Sequence, residues 1–411
     1  MSSNHRFPIV RLLAMAWLAC MATSAWADER VERGRYLALA GDCASCHTTR
    51  SGAAFAGGHV VATPFGAIPA PNLTPDRDTG LGAWSADDFY RAMHSGKGHD
   101  GTSLYPAFPF TSYTKVTRAD TDALFAWLQT LPPVKTVKLP ADLRWPYRMR
   151  SLMTPWRMMY FTEGEYVADA KQSAAWNRGA YLVQGLGHCN ECHARRNTFG
   201  AAVQEPFLAG GIVPVQNWYA PDLSMGAKGG LAGWTEADLV ALLKTGRSPK
   251  GTALGPMASV VVQSTQHLTD ADLSAIAVYL KSLPEREPAA LRESAADARE
   301  MASTGKKVYF EQCAGCHAED GRGKGNAYPP LDGNVSVTEP TGINAIRIVL
   351  TGGFAPATAG NARPYSMPPF SQRLNDDDAA AVVTYIRQAW SNKAPSVSAG
   401  DIRAYRSIPG A

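Results

Sequence analysis

The chain has 411 residues, of which 45% are hydrophobic and 18% charged, with a formal net charge of +4. That length accommodates two or three domains with real cores, and so small a charge excess excludes the strongly basic face that nucleic-acid binding requires. The 37 Gly and 28 Pro predict many loops between short helices.

Residues 1–27 read as a secretory signal peptide. Arg6 and Arg11 come first, an apolar run follows, and Ala25-Trp26-Ala27 forms a small-x-small cleavage pattern. The apolar run from Leu12 to Ala27, 16 residues, is short for a membrane anchor. Removing the two arginines leaves 38 Lys and Arg against 36 Asp and Glu, and no later stretch is apolar enough to span a bilayer.

Cys20 leaves with the signal peptide, and the remaining six cysteines form three pairs, each followed at once by histidine. They are Cys43-Ala44-Ser45-Cys46-His47, Cys189-Asn190-Glu191-Cys192-His193 and Cys313-Ala314-Gly315-Cys316-His317. C-x-x-C-H is the attachment pattern of c-type haem: two thiols form thioethers with the vinyl groups, and the next imidazole reaches the iron. Zinc would want the pairs close in sequence. A thioredoxin-like redox pair does not need the histidine. Three covalent haem c groups are expected, with His47, His193 and His317 as proximal iron ligands.

The motifs divide the chain into three similar units. Each opens on a helix with Gly and an aromatic: Gly34 and Tyr36, Gly179 and Tyr181, Gly305 and Tyr309. Each closes on a capped helix that begins at Thr117, Thr269 or Asn375, with an aspartate three residues later. The closing helices carry Trp127-Leu128, Tyr279-Leu280 and Tyr385-Ile386, and the opening glycines would let these aromatics pack close. Between the helices, Pro71-Asn72-Leu73 parallels Pro221-Asp222-Leu223, and the third unit has Pro330-Leu331. Either these prolines offer a carbonyl to the proximal histidine, or they simply turn a loop. Trp84 and Trp234 each begin a helix ending at Gly96 or Gly246, and read as packing residues.

The fold expected is mainly α: three tandem cytochrome c domains of short helices, each around one covalent haem. The boundaries are residues 28–135, 171–286 and 297–395, with a linker at 136–170 and a C-terminal tail at 396–411. The linker stretch Arg144–Phe161, rich in Arg, Met and aromatics, reads either as packing between the first two units or as a docking surface.

Methionine sulfur is the usual sixth ligand of electron-carrying cytochromes. Met257, in Gly255-Pro256-Met257, and Met367, in Ser366-Met367-Pro368-Pro369, lie ahead of the second and third closing helices. In the first unit the matching loop, Leu104-Tyr105-Pro106-Ala107-Phe108, offers Phe108 instead. His94 is the candidate there. Met93 stands second because its counterparts Leu243 and Val349 are aliphatic, and His99 lies in a glycine-flanked loop.

These motifs, together with Asn72-Leu73-Thr74-Pro75-Asp76 and Tyr328-Pro329-Pro330-Leu331, resemble the triheme cytochrome c subunits of periplasmic alcohol, gluconate and fructose dehydrogenases. Related cytochromes accompany molybdenum aldehyde and N-heterocycle oxidoreductases. The resemblance covers the mature chain. It implies a periplasmic electron-transfer subunit, not an enzyme by itself, that accepts electrons from a dehydrogenase catalytic subunit. Ubiquinone, a terminal oxidase or another cytochrome would receive them, and membrane association would come through partners. Many relatives carry Met where Phe108 stands. A haem enzyme of peroxidase or thiosulfate-oxidising type, using haem 1, is the alternative. A ligand sensor is a third class, and two Met-capped haems favour electron transfer.

Overall fold

Three helix crossings organise the chain, each closed by a glycine. The computed structural model describes residues 28–226, 230–286, 298–325 and 327–407; the expected signal peptide lies outside them. The opening helices span 28–40, Ala174–Tyr181 and Ala298–Gln312. They cross the closing helices Arg118–Leu128, Asp270–Lys281 and Asp376–Gln388. A Cβ on Gly34, Gly179 or Gly305 would stand 1.9, 1.9 or 2.2 Å from the carbonyl oxygen of Ala123, Ala275 or Ala381. It would also press on the Cβ of Trp127, Tyr279 or Tyr385. Only glycine lets the backbones approach so closely. As expected, each closing helix is capped: Thr117, Thr269 and Asn375 accept from the backbone N–H of Asp120, Asp272 and Asp378.

The helices after Trp84 and Trp234 are Ala86–Ser95 and Glu236–Thr245. They start two residues beyond the tryptophans, because Ser85 and Thr235 form capping boxes with Asp88 and Asp238. Strand is sparse. Val60–Thr63 pairs antiparallel with Gly66–Pro69, register Val60 to Pro69, and Asp142–Leu143 of the linker adds a third strand. Short two-stranded pairs join Gly211–Val213 to Trp218–Ala220 and Gly353–Phe354 to Ser366–Met367.

The three units are not packed alike. Leu37, Leu124, Leu186, Leu273 and Leu280, drawn from the first and second units, share one core. Tyr309, Ile346, Val383 and Ile386 form another in the third unit. The first two units also exchange side chains reciprocally. The Tyr36 hydroxyl donates to Asp272 at 2.6 Å, and the Tyr181 hydroxyl donates to Asp120 at 2.6 Å. Each tyrosine thus binds the helix cap of the other unit. Arg33 and Arg178 hold the same aspartates from within their own units. Tyr309 donates instead to Ala318 of its own unit. The sequence carries the distinction: tyrosine follows glycine by two positions in the first two units and by four in the third. On a helix those offsets point in different directions.

Part of the linker packs between the first two units, the first of the two readings given for it. Met153 and Trp156 are buried with Phe110 and Ala201, between the first unit and the second, while Trp145 and Met158 are 72% and 83% exposed. The segment expected to be a tail forms a helix, Ala399–Arg406, and its Ile402 is fully buried in the third core. Arg406 fastens it through Asp376 and the carbonyl of Leu374. This helix is therefore part of the third unit.

Candidate haem-attachment sites

The three histidines expected as proximal ligands are held in the same way. His47 Nδ1 lies 2.8 Å from the Pro71 carbonyl, His193 Nδ1 2.7 Å from that of Pro221, and His317 Nδ1 3.0 Å from that of Pro329. A carbonyl only accepts, so Nδ1 carries the proton and Nε2 keeps its lone pair. The third acceptor is Pro329, one residue before the expected Pro330. The repeat is Pro-x-Leu, and Pro330 occupies the place of Asn72 and Asp222. The leucines confirm the register, since Leu73, Leu223 and Leu331 each donate a backbone N–H to the preceding loop.

Three glycines that the sequence pattern did not single out complete these loops. Gly57, Gly210 and Gly323 donate to the carbonyls of His47, His193 and His317, each at 2.9 Å. Their φ values are 75°, 71° and 74°, and a Cβ on any of them would strike the backbone at the histidine-binding proline. Left-handed backbone in close contact excludes other residues. Each stretch between histidine and proline holds several glycines, and the one that turns back to the histidine follows it by ten, seventeen or six residues, so no fixed spacing marked it.

The donor set fits covalent haem. All six cysteines are free. Burial pushes the Cys43 and Cys189 thiols up to about 12, and those of Cys192 and Cys313 up to about 11. A redox-active pair needs a lowered thiol instead. Burial also pulls the three imidazoles below their ordinary value, keeping Nε2 unprotonated as an iron ligand requires. Among the described residues no group of three or more His, Cys, Asp or Glu could hold a metal ion.

The first and second motifs adjoin. Asp42 and His188 occupy the same position before the first cysteine, at φ 51° and 38°. A Cβ on Gly41 would lie 3.2 Å from Leu186, and the His188 ring stands 5.7 Å from that of Tyr113. His188 was not anticipated; nothing in C-x-x-C-H marks the residue ahead of it. Asp42, pushed up to about 6 by burial, accepts from Ser45.

The distal candidates are held differently from one another. Met257 is the second residue of the helix Pro256–Gln263, rather than in a loop, with Gly255 ahead of it at φ 55°. Met367 lies in a short strand opposite Gly353 and packs on the third core. Phe108 packs against Tyr113 at 5.2 Å, beside fully buried Phe110. His94 points Nδ1 at the Thr114 carbonyl, 3.1 Å away. Its Nε2 is 3.5 Å from Glu163, and its ring stacks on Tyr90. Both nitrogens are engaged by protein atoms, so a ligand role requires releasing Nε2 from Glu163. Met93 is buried in the shared core, and His99 pairs with Asp88.

The Cytochrome c family matches residues 31–132 and 302–390. The chain is 38% identical over 412 residues to the gluconate 2-dehydrogenase cytochrome c subunit of Pantoea cypripedii, covering 94% of this chain and 92% of that one. The chain belongs to the dehydrogenase cytochrome c subunit family. Another member, the cytochrome c subunit of the quinone alcohol dehydrogenase of Gluconobacter oxydans, is 36% identical over 97% of this chain and 86% of its own length. A nicotinate dehydrogenase subunit of Pseudomonas putida is 41% identical over 93% of this chain, but the match spans only 33% of that longer protein. The cytochrome c family assignment accords with the attachment geometry. The family match covers the first and third units, and the second unit carries the same histidine–proline pairing.

Proposed function

We propose that this chain is a triheme electron-transfer subunit, exported to the periplasm, that takes electrons from a dehydrogenase catalytic subunit and passes them towards ubiquinone, a terminal oxidase or another cytochrome. The observation that carries this reading is the threefold repeat of a C-x-x-C-H histidine whose Nδ1 is fixed by a proline carbonyl. When bound, haem supplies a one-electron iron couple. The chain's residues attach it through the cysteines and orient the imidazoles through the prolines. Met257 and Met367 are the proposed sixth ligands of the second and third haems. For the first, His94 remains the candidate, on condition that its Glu163 contact opens.

The related subunits serve alcohol, gluconate and nicotinate dehydrogenases, so the donor is proposed to be a CH–OH, aldehyde or N-heterocycle oxidising enzyme. Among the described residues no helix is long and apolar enough to cross a membrane; attachment through partners is the proposed route. The test is to isolate the native complex, identify its catalytic subunit, and add that enzyme's substrate. Rapid reduction of the cytochrome by substrate is expected. A chain that co-isolates with no dehydrogenase, or that turns over peroxide by itself, would argue for the haem-enzyme alternative.

A further inference from the structure

Arg347 is an unusual arginine. It is 3% exposed, and its Nε is buried without a hydrogen-bond partner. Among the described residues no carboxylate pairs with it. Glu339, the buried acid in the loop ahead of its helix, already accepts from Thr341 N and Oγ1 and from Asn344 N. Burial pulls the Arg347 guanidinium down from its usual range, and only the Tyr405 phenol opposes this. A buried charge without a counter-charge is expensive, and arginine, with its planar fork, is the side chain suited to bind a carboxylate in two places.

Its position says where that carboxylate comes from. Arg347 belongs to the third unit, on the helix Ile343–Thr351, but its guanidinium lies 4.8 Å over the ring of Trp218 in the second unit. One turn earlier, Asn344 locks the same strand: its Oδ1 accepts from Tyr219 N at 2.9 Å, and its Nδ2 donates to Tyr219 O at 2.8 Å. Trp218 in turn stands between the two loops that serve the second attachment site. It precedes by three residues Pro221, the acceptor for His193. Its ring would lie 2.6 Å from a Cβ on Gly255, two residues before Met257. The cation supplied by the third unit therefore sits at the rim of the second haem site.

We propose that Arg347 binds a propionate carboxylate of the haem attached at Cys189 and Cys192, so that the third unit holds and tunes the second haem. This rests on the triheme reading above. A fixed positive charge beside the haem favours its reduced form, so removing it lowers that haem's potential.

The test uses the mature holo-protein. Haem is counted by pyridine haemochrome, and each potential is measured by spectroelectrochemical titration in wild type, Arg347→Gln and Arg347→Lys. The second haem is identified as the component missing from a Cys189→Ser/Cys192→Ser double variant. With three haems retained, Arg347→Gln is expected to shift that component's redox equilibrium at least tenfold towards oxidation, about 59 mV for one electron. Arg347→Lys keeps the charge and holds the potential at pH 7. It then loses it at alkaline pH, where a buried lysine deprotonates and arginine does not. Should Arg347→Gln fail to mature, the lysine profile decides alone: a profile as flat as wild type overturns the assignment. Three haems with an unmoved second component, or a shift confined to another haem, overturns it and leaves the electron-transfer reading standing. Two haems in wild type overturns both.

Discussion

Replacing Gly179 with alanine tests the helix crossing that every unit repeats. Alanine is the better helix former by about 0.8–1.0 kcal/mol, so propensity alone predicts stabilisation. The structure predicts the opposite. The new methyl would stand 1.9 Å from the Ala275 carbonyl oxygen, 2.6 Å from its carbon and 2.8 Å from the Tyr279 Cβ. All three atoms are backbone or fixed to it, so no side chain can rotate away. Ordinary contact requires the helices to part by about 1.5 Å, and a gap of even 0.5–1 Å forfeits roughly a quarter to a half of each van der Waals well. The facing residues Ala180, Ile276 and Leu280 lie in the shared core. A cost at or above the upper end of the usual overpacking range of about 1–3 kcal/mol is expected. After the propensity gain, a net loss of about 2 kcal/mol or more remains, roughly 4–8 °C in thermal midpoint. Circular-dichroism melting of the holo-protein reads this directly. Gly233→Ala is the control, since its Cβ would meet only the Lys250 Nζ at 3.9 Å, and it should stay within about 0.5 kcal/mol of wild type. If Gly179→Ala melts no lower than Gly233→Ala, the close crossing is not what holds the unit together.

Tyr36→Phe removes one of the two reciprocal bonds between the first and second units and should cost about 1.5–3 kcal/mol, as for a bond to a charged group. Burial raises Asp272, but the Arg178 and Tyr36 hydrogen bonds outweigh it and hold the carboxyl below its ordinary value. A carboxylate held low in the folded state stabilises fully above the unfolded pKa, near 4, and its contribution is lost as pH falls through the folded value. The melting difference between Tyr36→Phe and wild type should therefore be full at pH 7 and shrink below about pH 4; a difference constant with pH contradicts the ion-linked bond. Met257→Ala and Met367→Ala should each abolish one low-spin methionine-ligated signal without loss of covalent haem, and a spectrum unchanged by either removes that methionine as a ligand. His94→Ala should alter the low-temperature EPR of the first haem only if Nε2 leaves Glu163 for the iron, and an unchanged spectrum ends its candidacy.

Much of this was legible in the sequence because it depends on local patterns. The C-x-x-C-H motifs, the caps at Thr117, Thr269 and Asn375, and the glycines opposite the closing aromatics are each read over a few residues, and local spacing determines their geometry. The histidine–proline pairing was legible too, but a tandem Pro329-Pro330 hid its register by one residue. What the sequence did not reveal depends on which units meet. Tyr36 and Tyr181 look like core aromatics until each is seen on the other unit's aspartate. Arg347 looks like a surface arginine on a helix until Trp218 covers it. Gly57, Gly210 and Gly323 escaped because a left-handed glycine in a loop of variable length leaves no periodic mark.

The central claim, three covalent haems on one electron-transfer chain, is tested most directly by pyridine haemochrome analysis of denatured, properly matured protein. Three haems per chain are predicted, falling to two in the Cys189→Ser/Cys192→Ser double variant. Two or fewer in the wild-type chain, or no change in the double variant, would contradict it.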